Sequence, residues 1–250
     1  NINSNFIATI NLIKMKNLKY TFKINKTVHV INAKVSQNSK IGIGYIIQTY
    51  HFSTDQIVNN DFTDDKENCL NCPFSYNMNN GKSGGCYTHK GFQLMGLKSM
   101  QRSLARNFES ILDFNIVEFK EFINKVKNTY PVDLVRFGAY GEPVLLPLQV
   151  VEVLASLSKK STGYTHQYSK KQYNNYNDFF MASTHTTRER KQAKKLGFRS
   201  FFVSNKDIIP DDAVNCPASK ESAKNLSCIK CGLCNGNKTN IKKDIYILQH

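Results

Sequence analysis

Seven cysteines, arranged as an amino-proximal three and a carboxy-terminal four, constrain this chain more than any other feature. The first group is Cys69-x-x-Cys72, thirteen residues, then Cys86; the second is Cys216, eleven residues, then Cys228-x-x-Cys231-x-x-Cys234. Two cysteines three apart on a tight turn can point both thiolates at one ion or at neighbouring irons of a cluster. Both groups lie in stretches rich in Gly, Asn and Ser, so the fold has to gather loops around two centres. The tight packing of Cys228, Cys231 and Cys234 favours an iron–sulfur cluster of the 4Fe–4S kind, although four cysteines close a tetrahedral Zn2+ site equally well. The first group supplies three thiolates. Either His89 completes that set, or one coordination position stays open for chemistry.

The ligand reading agrees with the expected compartment. Ile7, Ile10, Leu12 and Ile13 are interrupted by Asn and Thr, with no basic segment ahead and no small-residue cleavage site behind, so no export signal is read there. A cytoplasmic location is expected, where thiols stay reduced and serve as ligands or catalysts. No apolar stretch approaches the roughly 20 residues needed to cross a membrane, and no membrane partner is expected. The formal charge of +15 points to a polyanion, nucleic acid first, met by a basic surface. Scattered lysines such as Lys16, Lys19, Lys23 and Lys26 are equally what a Lys-rich composition leaves on a solvated face.

Periodicity divides the chain into an extension (1–18), a main domain (19–209) and a Cys-rich tail (210–250). Residues 19–35 alternate as two strands around Asn25-Lys26, and Ile41 to Phe52 reads as a third. Residues 72–86 read as a loop. A helical pattern runs from Gly91 to Leu112, and a second helix from Ile116 to Tyr130 stops at Pro131. Strands at 132–137, 163–167, 179–183 and 199–203 then alternate with helices at 148–158 and 187–196. Such alternation implies parallel pairing, in an α/β barrel or an open doubly wound sheet. The tail reads as a loop docked on the main domain.

The strand at 132–137 ends in Gly138-Ala139-Tyr140-Gly141-Glu142-Pro143. In parallel α/β folds ligands collect at the carboxyl ends of strands, glycine admits close backbone approach, and Glu142 can accept hydrogen bonds from an amine. A strand, a three-cysteine loop, helices and then Tyr140-Gly141-Glu142-Pro143, in that order, resemble the radical S-adenosylmethionine enzymes over roughly 41–203. The cysteine spacing, two residues and then thirteen, differs from that family's three and two.

The resemblance implies a parallel partial barrel with a small Cys-rich extension. In it Cys69, Cys72 and Cys86 hold a cluster, and Gly138, Tyr140, Gly141, Glu142 and Ser183 bind S-adenosylmethionine. Cys216, Cys228, Cys231 and Cys234 would hold an auxiliary cluster. The segments Gly85-Cys86-Tyr87, 138–143, 162–167, Met181-Ala182-Ser183 and Cys216-Pro217-Ala218-Ser219 are also similar to a family of uncharacterised phage- and plasmid-borne proteins, which implies a bacterial host.

Tyr164, Thr165, His166, Ser183, His185 and Arg199 fall at strand ends that converge in a parallel barrel. His166 is the expected proton donor or acceptor near the substrate, whose identity the residues leave open as small molecule or macromolecule. The helix bearing Arg188, Arg190, Lys191, Lys194 and Lys195 is expected to offer a phosphate-binding face. The reading of a different class is a non-catalytic, zinc-stabilised protein that binds nucleic acid through this basic surface.

Overall fold

The computed structural model describes residues 17–205, 209–238 and 242–249. The expected extension lies outside the described residues except at its end, where Leu18 opens the first strand. Strands β1 (Leu18–Ile24) and β2 (Thr27–Ser36) form a hairpin, and Asn25 takes the left-handed conformation (φ 52°) that its short polar side chain tolerates. β2 pairs antiparallel with β3 (Gly44–Ser53), and β3 pairs parallel with β4 (Leu134–Tyr140). β4 pairs in turn with the two-residue β5 (Ser161–Thr162).

After Gly163 the same segment becomes β6 (Tyr164–Thr165) and opens a second, wholly parallel sheet. Its strand order is β6, β7 (Met181–Thr184), β8 (Ser200–Ser204), β10 (Asp244–Leu248), β9 (Ala213–Asn215). A Cβ at Gly163 would lie 2.5 Å from Phe180, so the residue between the two sheets has room only for hydrogen. The protein is mixed α/β with parallel pairing in both sheets.

Helix α1 (Thr54–Val58) follows β3 directly and starts in a capping box of Ser53 and Gln56. After the short turn α2 (Lys66–Cys69) come α3 (Gly91–Arg106) and α4 (Ile116–Thr129), the latter capped by Asn115 through the amides of Val117 and Glu118. The helical pattern expected to reach Leu112 stops at Arg106. Beyond a 3₁₀ turn at Phe108–Ser110 the chain runs beside β1, where Lys23 bonds the carbonyl of Leu112 and the amide of Phe114. The remaining helices are α5 (Leu148–Ala155), α6 (Thr187–Lys195) and the turn α7 (Cys228–Cys231).

Phe119, Phe122, Ile123 and Val126 of α4 and Val150, Val151 and Leu154 of α5 cover one face of the first sheet, against Ile31, Ile47, Val135 and Phe137. On the other face Val28, Val30, Tyr50 and Phe52 pack against Leu97 and Leu104 of α3. The segment after Pro210, expected as a loop, instead contributes β9 and β10, and β10 lies between β8 and β9. Its placement is fixed by the buried Asp244, which accepts from Arg190 Nε (2.6 Å) on α6 and from the Ser200 amide (2.9 Å) on β8. No helix among the described residues is long and apolar enough to cross a membrane.

Candidate metal centre

The loop carrying the first cysteines is organised by Asp65. This buried carboxylate accepts from the amides of Tyr76 and Asn77, each at 2.8 Å, and its carbonyl accepts from the amide of Cys69. The turn continues with Cys72 N–H to the Cys69 carbonyl at 3.0 Å, and Cys86 lies 3.0 Å from Thr88 Oγ1. Burial pushes the Cys69 thiol well up, and the charges of Asp65, Cys72, Cys86 and Glu142 push it further. The three sulfurs and Glu142 therefore share one electrostatic neighbourhood. A cation placed among them reverses this preference, because a coordinated thiol is deprotonated.

The end of β4 is joined to that loop through its backbone. Glu142 N–H donates to the Asn68 carbonyl at 2.7 Å, and Asn68 Nδ2 donates to the His51 carbonyl at 3.0 Å. Gly141 has φ 77°, and a Cβ there would stand 2.9 Å from the His51 oxygen and 3.0 Å from the Asn68 oxygen. Gly138 has φ 61° and donates its N–H to Thr49 Oγ1 at 2.9 Å. Tyr140 is committed to the core: its ring stacks on Phe62, and its hydroxyl accepts from Gln56 Nε2 at 2.8 Å.

Glu142 is 4% exposed and spends its carboxylate inside the protein. It accepts from Thr165 Oγ1 (2.7 Å), from the His166 amide (3.1 Å) and from His166 Nδ1 (3.1 Å). Nε2 of His166 lies 3.3 Å from Nε2 of His185, and the Phe74 ring meets the His185 ring edge-on with centroids 4.7 Å apart. Among the described residues, Cys72, Glu142 and His166 form a group whose ligand atoms all lie within 4.8 Å of one another. Sequence spacing brings none of these three together: the pairing of β4 with β5 and its continuation β6 brings Glu142 to His166, and the bond from Glu142 N–H to the Asn68 carbonyl brings the cysteine loop to both. Ser183 stands on β7, two residues from Met181 and on the same face.

The second group gathers around the second sheet and reaches the first at Ile46 and Leu134, against which Cys228 packs. Cys216 and Cys234 are buried with Met181 and Ile245, and Tyr164 donates a hydrogen bond to Cys234. Cys228 and Ile229 hang their amides on the carbonyls of Lys40 and Ile41, and Gly232 ends the turn at φ 66°. Burial and the other sulfurs push the Cys234 thiol up. Among the described residues, neither cysteine group brings three sulfurs within 4.8 Å of one another.

Three expected placements are corrected. His89 belongs to no group of ligand atoms within 4.8 Å among the described residues; it is buried, stacked on Tyr76 with ring centroids 4.0 Å apart. Arg199 does not stand at the strand-end mouth. It is buried and donates to the carbonyls of Leu233, Gly236 and Lys243, which fastens the tail. On α6, Arg190 and Lys194 are taken up by Asp212 and Asp244, which leaves Arg188, Lys191 and Lys195 as that helix's exposed cations outside these ion pairs.

Arg136, which the strand pattern had given no role, donates to the hydroxyl of Tyr87 at 2.9 Å, beside Cys86. Its charge also reaches Cys228, so it lies between the two cysteine groups. A charged residue in the middle of an otherwise apolar strand was the available signal. No family model, no curated protein and no solved structure matches the chain.

Proposed function

We propose that the protein is an iron–sulfur enzyme of the radical S-adenosylmethionine type, carried by a phage or other mobile element. Cys69, Cys72 and Cys86 hold its reactive cluster, and the carboxy-terminal four hold an auxiliary one. The observation that carries this reading is the approach of Cys72 to Glu142 and His166, which lays the three-cysteine loop over the glycine-rich end of β4. A parallel partial barrel is the matching architecture. The parallel run from β3 through β8 to β9, continuous through Gly163, supports it.

When bound, the cluster and S-adenosylmethionine supply a one-electron cleavage that yields a carbon radical. The chain's own residues position and shield that chemistry. Gly138 and Gly141 bring bare backbone to the strand end, and Glu142 orients His166 through Nδ1, which leaves Nε2 toward His185 as the proton-handling atom. Oε1 of Glu142 is filled by the two His166 contacts, and Oε2, which accepts from Thr165 alone, is the oxygen with a lone pair left for a ligand's amine.

The second reading is a zinc protein without catalysis that binds nucleic acid. One observation favours it: the Cys72–Glu142–His166 group has the spacing of a single divalent ion. The face of α6 with Arg188, Lys191 and Lys195 would then meet phosphates.

Anaerobic purification followed by iron, sulfide and zinc analysis separates the two. Iron and sulfide near four per cluster, with formation of 5′-deoxyadenosine after reduction with S-adenosylmethionine, are expected. A colourless protein with stoichiometric zinc and no sulfide overturns the enzyme reading.

A further inference from the structure

The concave face of the first sheet carries a band of polar residues between two apolar clusters. Register places Lys34 beside Ile46, Asn32 beside Gln48, Gln48 beside Arg136 and Arg136 beside Thr162, and paired residues share a face. Above this band lies the cluster around Tyr50, Phe52 and Leu97; below it Ile41, Ile46 and Leu134 pack on Cys228 and Ile229. Between them opens a cavity of about 530 Å³, within the range of small-molecule sites. Its apolar wall includes Ile46, Leu97 and Met100, and Phe92 of α3, 91% exposed, stands at its lip.

Two cations, Lys34 and Arg136, line this cavity, and no Asp or Glu does. Among the described residues Arg136 makes no ion pair; its neighbours are Tyr87, Tyr50 and Tyr164. Burial and the charge of Arg136 both push the Lys34 ammonium down, so the two cations repel across the cavity. Gln48 Oε1 accepts from the Tyr50 hydroxyl at 2.7 Å, which leaves its amide N–H groups to donate into the cavity. Such an arrangement is stable with an anion between the cations and costly without one.

We propose that this cavity binds a small organic oxyanion, a carboxylate or phosphate attached to an apolar body. Arg136 holds the oxyanion through its planar fork, Lys34 supplies the second positive charge, and the wall of Ile46, Leu97 and Met100 takes the apolar part. As a binding site this stands on the cavity alone. As the substrate site of the enzyme proposed above it rests on that reading, because the cavity lies between the two cysteine groups.

The test titrates the full chain, as isolated and with its metal content measured, with phenyl phosphate, benzoate, inorganic phosphate and the neutral benzyl alcohol. Isothermal calorimetry and saturation-transfer NMR read the binding. The three anions are expected to bind and benzyl alcohol not to. R136Q should weaken the anions at least about tenfold, as loss of a charged hydrogen-bond partner does, with K34Q weakening them less and R136K falling between.

F92S, at an exposed position that leaves folding unaffected, should weaken phenyl phosphate and benzoate while leaving inorganic phosphate unchanged. Equal binding of anions to wild type, R136Q and K34Q overturns the proposal, as does binding of benzyl alcohol as tight as that of benzoate. If Arg136 serves only to balance the Cys228 thiolates, R136Q will alter the absorption of the metal centre with no change in anion affinity, and that too overturns it. Anion binding by a sulfide-free protein would sink the enzyme reading alone; absence of anion binding in an iron-loaded protein would sink this proposal alone.

Discussion

Replacing Gly141 with alanine probes the joint between the cysteine loop and the end of β4, and Gly81 provides its control. Both residues have φ 77°, but an added Cβ at Gly81 meets nothing within 4 Å. The left-handed backbone costs an alanine about 1–2 kcal/mol, and a less flexible unfolded chain returns about 0.4–1 kcal/mol. G81A should therefore lose about 1 kcal/mol by this balance. At Gly141 the new Cβ would stand 2.8 Å from His51 Cβ, 2.9 Å from the His51 oxygen and 3.0 Å from the Asn68 oxygen.

Two of those three atoms are backbone carbonyls inside packed structure, so either β3 or the cysteine loop must shift. Overpacking of that kind costs about 1–3 kcal/mol. A shift of Asn68 also strains its 2.7 Å bond from Glu142 N–H, a further loss of about 1 kcal/mol. G141A should then lose about 3–5 kcal/mol in all. Urea midpoints of both variants, with iron and zinc content measured on the same samples, provide the readout. G141A should also lose metal, since Asn68 directly precedes Cys69. Equal destabilisation of the two variants, with metal content intact, would refute the joint.

Three further outcomes are expected. Burial alone pushes the His166 imidazolium down, but the hydrogen bonds and charges of Cys72 and Glu142 outweigh it and hold the group up to about 10. Its stabilising contribution is full below its ordinary value and is lost as pH rises through about 10, so in E142Q the ring titration followed by 15N NMR should move to lower pH, and an unmoved titration speaks against the contact. Burial pushes His29 down to about 3, where its Nδ1 lies 2.9 Å from Nδ1 of His51. The unfolded chain then takes up a proton near pH 6.5 that the native state refuses, and stability present above that pH should fall by about 2–3 kcal/mol by pH 4.5; H29Q should flatten this slope, and an unchanged slope would exclude His29 as its source. On α6, R190M takes from the buried Asp244 its closer cation and leaves only Lys194, at 3.4 Å, so it should cost about 2–4 kcal/mol in thermal or urea unfolding, while R190M/D244L recovers part of the loss; no difference between the two would dismiss the ion pair as the cause.

Local chemistry made much of this protein legible from its residues. The alternation in 19–35 matches β1 and β2, the apolar stripe on 116–130 matches α4, and Gly197 at φ 79° ends α6 as its position after Leu196 suggested. These features depend on neighbours a few residues apart, which propensity, periodicity and capping describe directly. The tight turns at Cys69–Cys72 and Cys228–Cys231 were legible too, because a Cys-x-x-Cys turn is itself local.

Partners distant in the chain were decided only by the tertiary structure. Glu142 was recognisable as a strand-end carboxylate, but its pairing with His166 follows from β4 lying beside β5, whose continuation carries His166, and its approach to Cys72 from the Asn68 carbonyl that receives its N–H. Arg199 looked like a residue of the mouth and instead fastens the tail, because β10 inserts beside β8 and brings the Lys243 carbonyl to it. Alternation shows that Lys34, Gln48 and Arg136 each point away from their apolar neighbours, yet it cannot tell that three strands turn them onto one concave face. The spacing of the cysteines was therefore plain from the residues, and strand pairing decided what surrounds them: a sheet's register is a long-range property, set by packing rather than by the residues of any one strand.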